Sequence, residues 1–248
     1  MSESIEVKHF SHKHHLKRKC IQTSFQCDGC KELGFGSCYQ CKKRCNFRLH
    51  NECALLDSGS ITHPFFKKCH FTFHESPSHI RSCVACGKEV KGFMYQSSRN
   101  EAHVLHPRCL KLAHNRTVES DDHGVMKVNL IEKLPHFSTC LKCTKRSISK
   151  NIKGWAYVSD CRNNYRYHVA CVKDMFSENL NNLQLQPTDG RNRSIFSLLV
   201  QKSGLIGKTV SEDSSRFIIS MVRVIISLII GVGDPTSIIL TVAGALQN

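Results

Sequence analysis

Short stretches of bulky residues alternating with small or polar ones recur through the first two-thirds of the chain, as in GFMYQ and GWAYVS. They read as β-strands with one buried face. A Gly-x-x-Tyr marks each repeat, at Gly36/Tyr39, Gly92/Tyr95 and Gly154/Tyr157. Glycine reaches φ > 0 without steric cost, which suits a tight hairpin before a strand. The segments ECALL, RCLKLAH and ACVKDMF each fit one short helix. After Met175 the pattern changes, and ENLNNLQLQPTDGRNRS reads as a polar linker over 177–193.

The remainder, 194–248, is apolar: IFSLLV and GLIG, then a run from Phe217 to Ile230 interrupted by Arg223, then another from Thr236 to Leu246. Between the two runs, Gly231 to Pro235 can end one helix and start the next, with Asp234 as N-cap and Pro235 at the first helical position. A C-terminal apolar helical hairpin is expected. A membrane span takes about 20 apolar residues, and neither run supplies them without a charge or a Gly/Pro break.

Cysteine organises the rest. CxxC pairs stand at Cys27/Cys30, Cys83/Cys86 and Cys140/Cys143, at spacings of 56 and 57 residues. Each is followed by an HxxC, His50/Cys53, His106/Cys109 and His168/Cys171, which begins 20, 20 and 25 residues after the pair. Every Tyr of the Gly-x-x-Tyr lies 11 residues before its His, so the five extra residues of the third repeat fall near 147–153. Tetrahedral Zn2+ takes four N/S ligands, and CxxC plus HxxC completes that set three times. Three sites follow: Cys27, Cys30, His50, Cys53; Cys83, Cys86, His106, Cys109; and Cys140, Cys143, His168, Cys171. Modules of this size bury too little apolar surface to fold without metal.

The first repeat carries more. His14 lies 13 residues before Cys27, and Cys41 and Cys45 interleave with the first site, which suggests a second, crossed site. Its fourth ligand is expected to be His63, with Cys38 and Cys69 as rivals. The positions matching Cys41 and Cys45 are Ser97 and Glu101 in the second repeat and Ser159 and Asn163 in the third. The crossed site is therefore expected in the first module alone. His103, His114 and His123 are expected to be solvated, and Cys161 to be a free thiol.

The expected fold is three tandem small zinc-stabilised β-rich (α+β) modules, at 9–58, 63–116 and 123–176, followed by the linker and the apolar helical tail. The chain of 248 residues has 15 Cys, 15 His and a formal charge of +15. The opening MSESIEVKHFSHKHHLKRK shows no apolar signal core, which points to a reducing, cytoplasmic or nuclear setting or the periphery of a membrane. The charge suits nucleic acid, an acidic protein or an anionic surface equally, and nothing beyond charge supports nucleic acid.

Through HFSHKHHL, CDGC, YQC, CNFRLHNECA, GFMY, LHPRC, GWAY and YHVACVKDM the chain resembles the plant divergent C-one domains, cysteine/histidine-rich relatives of the phorbol-ester/diacylglycerol-type zinc finger. The resemblance implies a small sheet and short helix around interleaved zinc sites, with His14, Cys41 and Cys45 in one and Cys27, Cys30, His50 and Cys53 in the other. It also implies a part in intracellular signalling or stress response. Cys41 and Cys45 depart from it, with three residues between them where the family has two, and the stretch between Cys30 and Cys41 is short for a diacylglycerol groove.

The expected function is that of a non-enzymatic zinc scaffold with a protein partner, its tail serving self-association or contact with lipid. Three alternatives stand beside it: diacylglycerol or lipid binding, a chromatin-reader-like or nucleic-acid-binding finger, and a thiol-disulfide oxidoreductase using Cys27 and Cys30. Against the last, redox CxxC motifs open a helix after a strand, and here the motif recurs with HxxC partners.

Overall fold

A computed structural model describes residues 6–43, 45–57, 59–120, 124–160 and 165–184, with Ile225 and Ile229. The tail expected over 194–248 lies outside the described residues apart from those two isoleucines, which are helical and buried. Cys161, Asn163 and His123 also lie outside them.

Three four-stranded antiparallel meanders follow one another. The first joins β1 (Glu6–Val7), β2 (Leu16–Gln26), β3 (Leu33–Cys41) and β4 (Arg48–His50), and leads into α1 (Asn51–Ala54). The second joins β5 (Ile61–His63), β6 (Phe66–His74), β7 (Met94–Ser97) and β8 (Val104–Leu105), and leads into α2 (Pro107–Leu110). The third joins β9 (Asn115–Ser120), β10 (Gly124–Ile131), β11 (Ala156–Ser159) and β12 (Arg166–His168), and leads into α3 (Val169–Gln184). Two boundaries differ from expectation. Residues 115 and 116 open the third sheet instead of closing the second module, because β9 pairs along β10 from Asn115 to Ser120. The polar stretch after Met175 continues α3 to Gln184, eight residues into the expected linker.

The same turn chemistry is used three times. In each CxxC the residue after the second Cys has positive φ: Lys31 at 63°, Gly87 at 66° and Thr144 at 57°. That left-handed step folds the knuckle back so that the first Cys N–H donates to a carbonyl five residues on, Cys27 to Glu32 at 3.0 Å, Cys83 to Lys88 at 2.9 Å and Cys140 to Lys145 at 3.0 Å. The knuckle is then pinned to the strand that carries the His, by Asp28 N–H to Arg48 O, Val84 N–H to Val104 O and Leu141 N–H to Arg166 O, at 2.8, 3.0 and 2.9 Å. Two thiols and one imidazole meet before any metal is considered.

The glycines serve different ends. Gly36 (φ 79°) sits inside β3 opposite Ile21, beside a bulge, and not at a hairpin turn as expected. Gly154 (φ 74°) precedes β11, with an ideal Cβ only 2.0 Å from Ile148 Cδ1, so the inserted loop at 147–153 lies against it. Gly92 is needed for close approach.

The described residues form two compact units, one of residues 6–84 with 88–111, the other of 85–87 with 112 onward. The first unit has a shared core. Phe93, from the second repeat, is buried in the cluster of Leu16, Phe25, Tyr39, Leu49 and Ala54 from the first. Its N–H donates to Gly29 O at 3.1 Å, and Lys111 pairs with Asp57. In the second unit Trp155, Tyr157 and Tyr167 are buried with Val172, Met175 and Phe176 of α3, and Trp155 N–H donates to Ala85 O at 2.9 Å.

A Cβ at Gly92 would stand 2.0 Å from Gly29 O, a backbone atom that cannot rotate away. Gly92→Ala is therefore expected to force β7 off the first module and cost roughly 1–3 kcal/mol, read as a lowered thermal midpoint of the zinc-loaded chain. Gly59→Ala, with nothing within 4 Å of its Cβ, is expected to leave the midpoint unchanged.

Candidate metal centres

Four groups of Cys and His bring their ligand atoms within 4.8 Å of one another: Cys27, Cys30, His50, Cys53; Cys83, Cys86, His106, Cys109; Cys140, Cys143, His168, Cys171; and His12, His14, Cys41, Cys45. In the first three, the CxxC knuckle supplies two thiols, the His stands at the end of the last strand (His50, His168) or one residue beyond it (His106), and the first turn of the following helix returns the final Cys. The backbone aids the thiols: His50 N–H donates to Cys27 Sγ and His168 N–H to Cys140 Sγ, both at 3.4 Å.

The spacing fits zinc. Bonds of about 2.3 Å to sulfur and 2.0 Å to nitrogen place neighbouring S and N atoms of a tetrahedron about 3.5 Å apart. His50 Nδ1 lies 3.3 Å from Cys30 Sγ and 3.9 Å from Cys53 Sγ. His168 Nδ1 lies 3.5 Å from Cys143 and 3.9 Å from Cys171, and His106 Nδ1 4.0 Å from Cys109. His14 Nδ1 lies 3.4 Å from Cys45 and 3.5 Å from Cys41. Two rings are oriented from behind: Nε2 of His106 donates to Glu89 O at 3.3 Å and Nε2 of His168 to Arg146 O at 3.2 Å, which leaves Nδ1 as the ligand atom.

The thiols demand a cation. Burial pushes the Cys27 thiol up, yet hydrogen bonds from Cys30, Cys53 and His50 bring it well below its ordinary value. Burial and the neighbouring Cys27 push Cys30 and Cys53 well above theirs. In the third centre, hydrogen bonding from Cys171 takes Cys140 down to about 3, and Cys171 rises through that same bond and burial. One thiolate forms at the expense of its neighbours, and a divalent cation at the centre lets all three ionise. Lys173 Nζ, 3.7 Å from Cys86 Sγ, adds positive charge at one of these thiols.

The crossed centre differs from expectation in one ligand. His63 is buried in β5, its Nδ1 accepting Phe65 N–H at 3.2 Å and its ring edge-on to Phe65, and it does not reach His14, Cys41 or Cys45. His12 takes the place. Its ring stacks on Phe47 at 4.2 Å and 9°, and its buried Nε2 has no hydrogen-bond partner among the described residues. A buried nitrogen left in that state is what a metal would complete. The rivals do not fit either: Cys38 on β3 and Cys69 on β6 lie outside all four groups. The missed signal was the His12-x-His14 pair itself.

The hairpin's hydrogen bonds persist in the later repeats, where Ser97 and Ser159 stand in place of Cys41. Cys41 N–H donates to Phe47 O at 3.0 Å, Ser97 N–H to His103 O at 3.0 Å and Ser159 N–H to Tyr165 O at 2.9 Å, so the hairpin closure is common to all three. Ser97 Oγ accepts Arg99 N–H at 3.3 Å and Ser159 Oγ accepts Tyr165 N–H at 2.9 Å, where Cys41 Sγ accepts Lys43 N–H at 3.3 Å. His103 contacts Asn100 and Phe66, and His114 is half-buried, outside all four groups.

The family model of the C1 domain matches residues 10–54. No curated protein and no solved structure matches the chain. C1 domains bind zinc, and the matched segment holds two of the four Cys/His groups, with the repeated group following twice more.

About four zinc ions per chain are expected from metal analysis of the reduced protein, one for each group, and chelation is expected to unfold the sheets. His12→Ala should lower the count to about three, whereas His63→Ala should leave it at about four. Equal counts in the two variants would remove His12 from the crossed centre.

Proposed function

We propose that this chain is a non-enzymatic interaction protein in which zinc holds three small sheets in shape and the basic face of the first module receives an acidic segment of a protein partner. The observation that carries the reading is the completeness of the ligand sets. Each group offers four protein ligand atoms, so a tetrahedral ion keeps no position for substrate or activated water. The cysteines with ligand spacing are thereby committed to structure.

The partner class follows from the first sheet. Among the described residues, β1 pairs with Leu16 and Lys17 of β2, and β3 pairs along β2 from Leu16 to Gln26. Arg18 and Lys19 on this strand are exposed, as are Lys42 and Lys43 beyond the end of β3. Cations grouped on one sheet and its hairpin select an acidic segment as partner. The formal charge of +15 favours encounter with such a partner over long range. A cytoplasmic or nuclear setting, where thiols stay reduced, and a role in signalling or stress response accord with this reading.

A second reading, contact with an anionic lipid surface, is favoured by Phe137, 99 % exposed in the third module, near the exposed Leu141. The two readings separate on the full zinc-loaded chain. Immobilised, it is expected to retain a protein partner at low salt, and to lose it at high salt and when Lys17, Arg18 and Lys19 are changed together to Glu. Sedimentation with diacylglycerol vesicles that persists in that triple variant and fails in Phe137→Ser would favour lipid instead. Turnover in an insulin-reduction assay would overturn the non-enzymatic reading.

A further inference from the structure

Arg108, in the HxxC of the second module, is only 5 % exposed. A buried guanidinium needs counter-charge and acceptors, and those within its own module do not provide them. Its Nη1 donates to Leu33 O at 3.2 Å and lies 3.2 Å from His50 Nε2, while its Nε is 3.8 Å from Glu52 Oε2. All three residues belong to the first module. Nε and Nη2 have no hydrogen-bond partner among the described residues, so the side chain is held by charge more than by bonds.

The contact falls at a defined place. In the second and third centres, the ring nitrogen facing away from the thiols donates to a carbonyl three residues after the CxxC, Glu89 O or Arg146 O. The corresponding carbonyl in the first module is Leu33 O, and there the donor is Arg108. With Nδ1 on the metal the Nε2 of a neutral His50 carries a proton, so its 3.2 Å approach to Arg108 Nη1 sets two donors side by side and is not a hydrogen bond. What Arg108 supplies is the bond to the knuckle carbonyl of Leu33 and a positive charge beside a centre whose zinc, three thiolates and neutral imidazole sum to −1, in a buried setting where solvent screens little.

We propose that Arg108 is a positioning residue of the first metal centre, supplied by the second module, so that zinc at Cys27, Cys30, His50 and Cys53 and the folding of the second module stabilise each other. This rests on the zinc reading of the four groups, and total zinc content tests that premise separately. The coupling is reciprocal by linkage: whatever loosens the second module raises the escape of zinc from the first centre.

The test uses the full zinc-loaded chain, challenged with a limiting chelator while free thiols are alkylated and located by mass spectrometry. In Arg108→Met, which keeps the volume and removes the charge, Cys27, Cys30 and Cys53 are expected to be labelled about ten-fold faster than in the parent, as for other residues that orient metal ligands. Cys140, Cys143 and Cys171 are expected to keep the parent rate. The 15N resonances of the His50 ring should shift while those of His168 stay, and Arg108→Lys, which restores the charge, should recover part of the protection. Parent-rate labelling of Cys27, Cys30 and Cys53 in Arg108→Met would overturn the proposal. Should Arg108→Met also expose Cys83, Cys86 and Cys109, the comparison passes to Arg108→Lys. Faster labelling of the first centre with the second still protected supports the proposal, and parent-rate labelling of the first centre overturns it.

Discussion

Three thiolates and an imidazole drawn around one divalent cation are what each small sheet depends on. The sheets have strands of two to eleven residues and one turn of helix at the close of the first two modules, too little apolar surface to offset the entropy of ordering the chain. Chelation ties the knuckle, the last strand and the following turn at one point. The backbone has already done part of the work: the left-handed residue after each CxxC and the hydrogen bond from knuckle to His strand bring the ligands to within a few ångströms. Zinc then supplies the charge that the crowded thiols lack.

The crossed centre shows how local that dependence is. It ties the end of β3 and the loop before β4, through Cys41 and Cys45, to the segment that carries His12 and His14. In the second and third modules a serine hydroxyl takes a backbone N–H in the hairpin, and the closure bond from strand to loop is unchanged. A neutral hydrogen bond is worth about 1 kcal/mol and a structural zinc site about ten times that. The first module therefore leans on metal twice, and the other two once.

Much of the fold was legible because the ligands are chemically distinctive and regularly spaced. Twelve of the Cys and His positions follow from CxxC and HxxC in register, and the structure gathers each set of four. GFMYQ and GWAYVS are strands because their bulky residues alternate, as β7 and β11 show. What could not be read depends on approach in space. His12 lies only two residues from His14, but its role comes from a bend that stacks it on Phe47. His63 has the right chemistry at the right distance along the chain and is turned into the second sheet. The start of β9 was hidden because its partner, β10, carries no ligand, and α3 runs on through Asn and Gln because Met175 and Phe176 anchor its first turns in the core.

The contact between Phe93 and Gly29 joins unlike parts: the start of a strand in one repeat meets the knuckle of the repeat before it. Such a junction is head-to-tail and has no twofold axis, so it cannot satisfy itself the way a symmetric pair does. It gives the array a direction. The Ala85 carbonyl of the second module accepts Trp155 N–H as the Gly29 carbonyl of the first accepts Phe93 N–H. The polarity runs along the chain, and the shared core of the first unit takes its residues from two periods of the sequence instead of one.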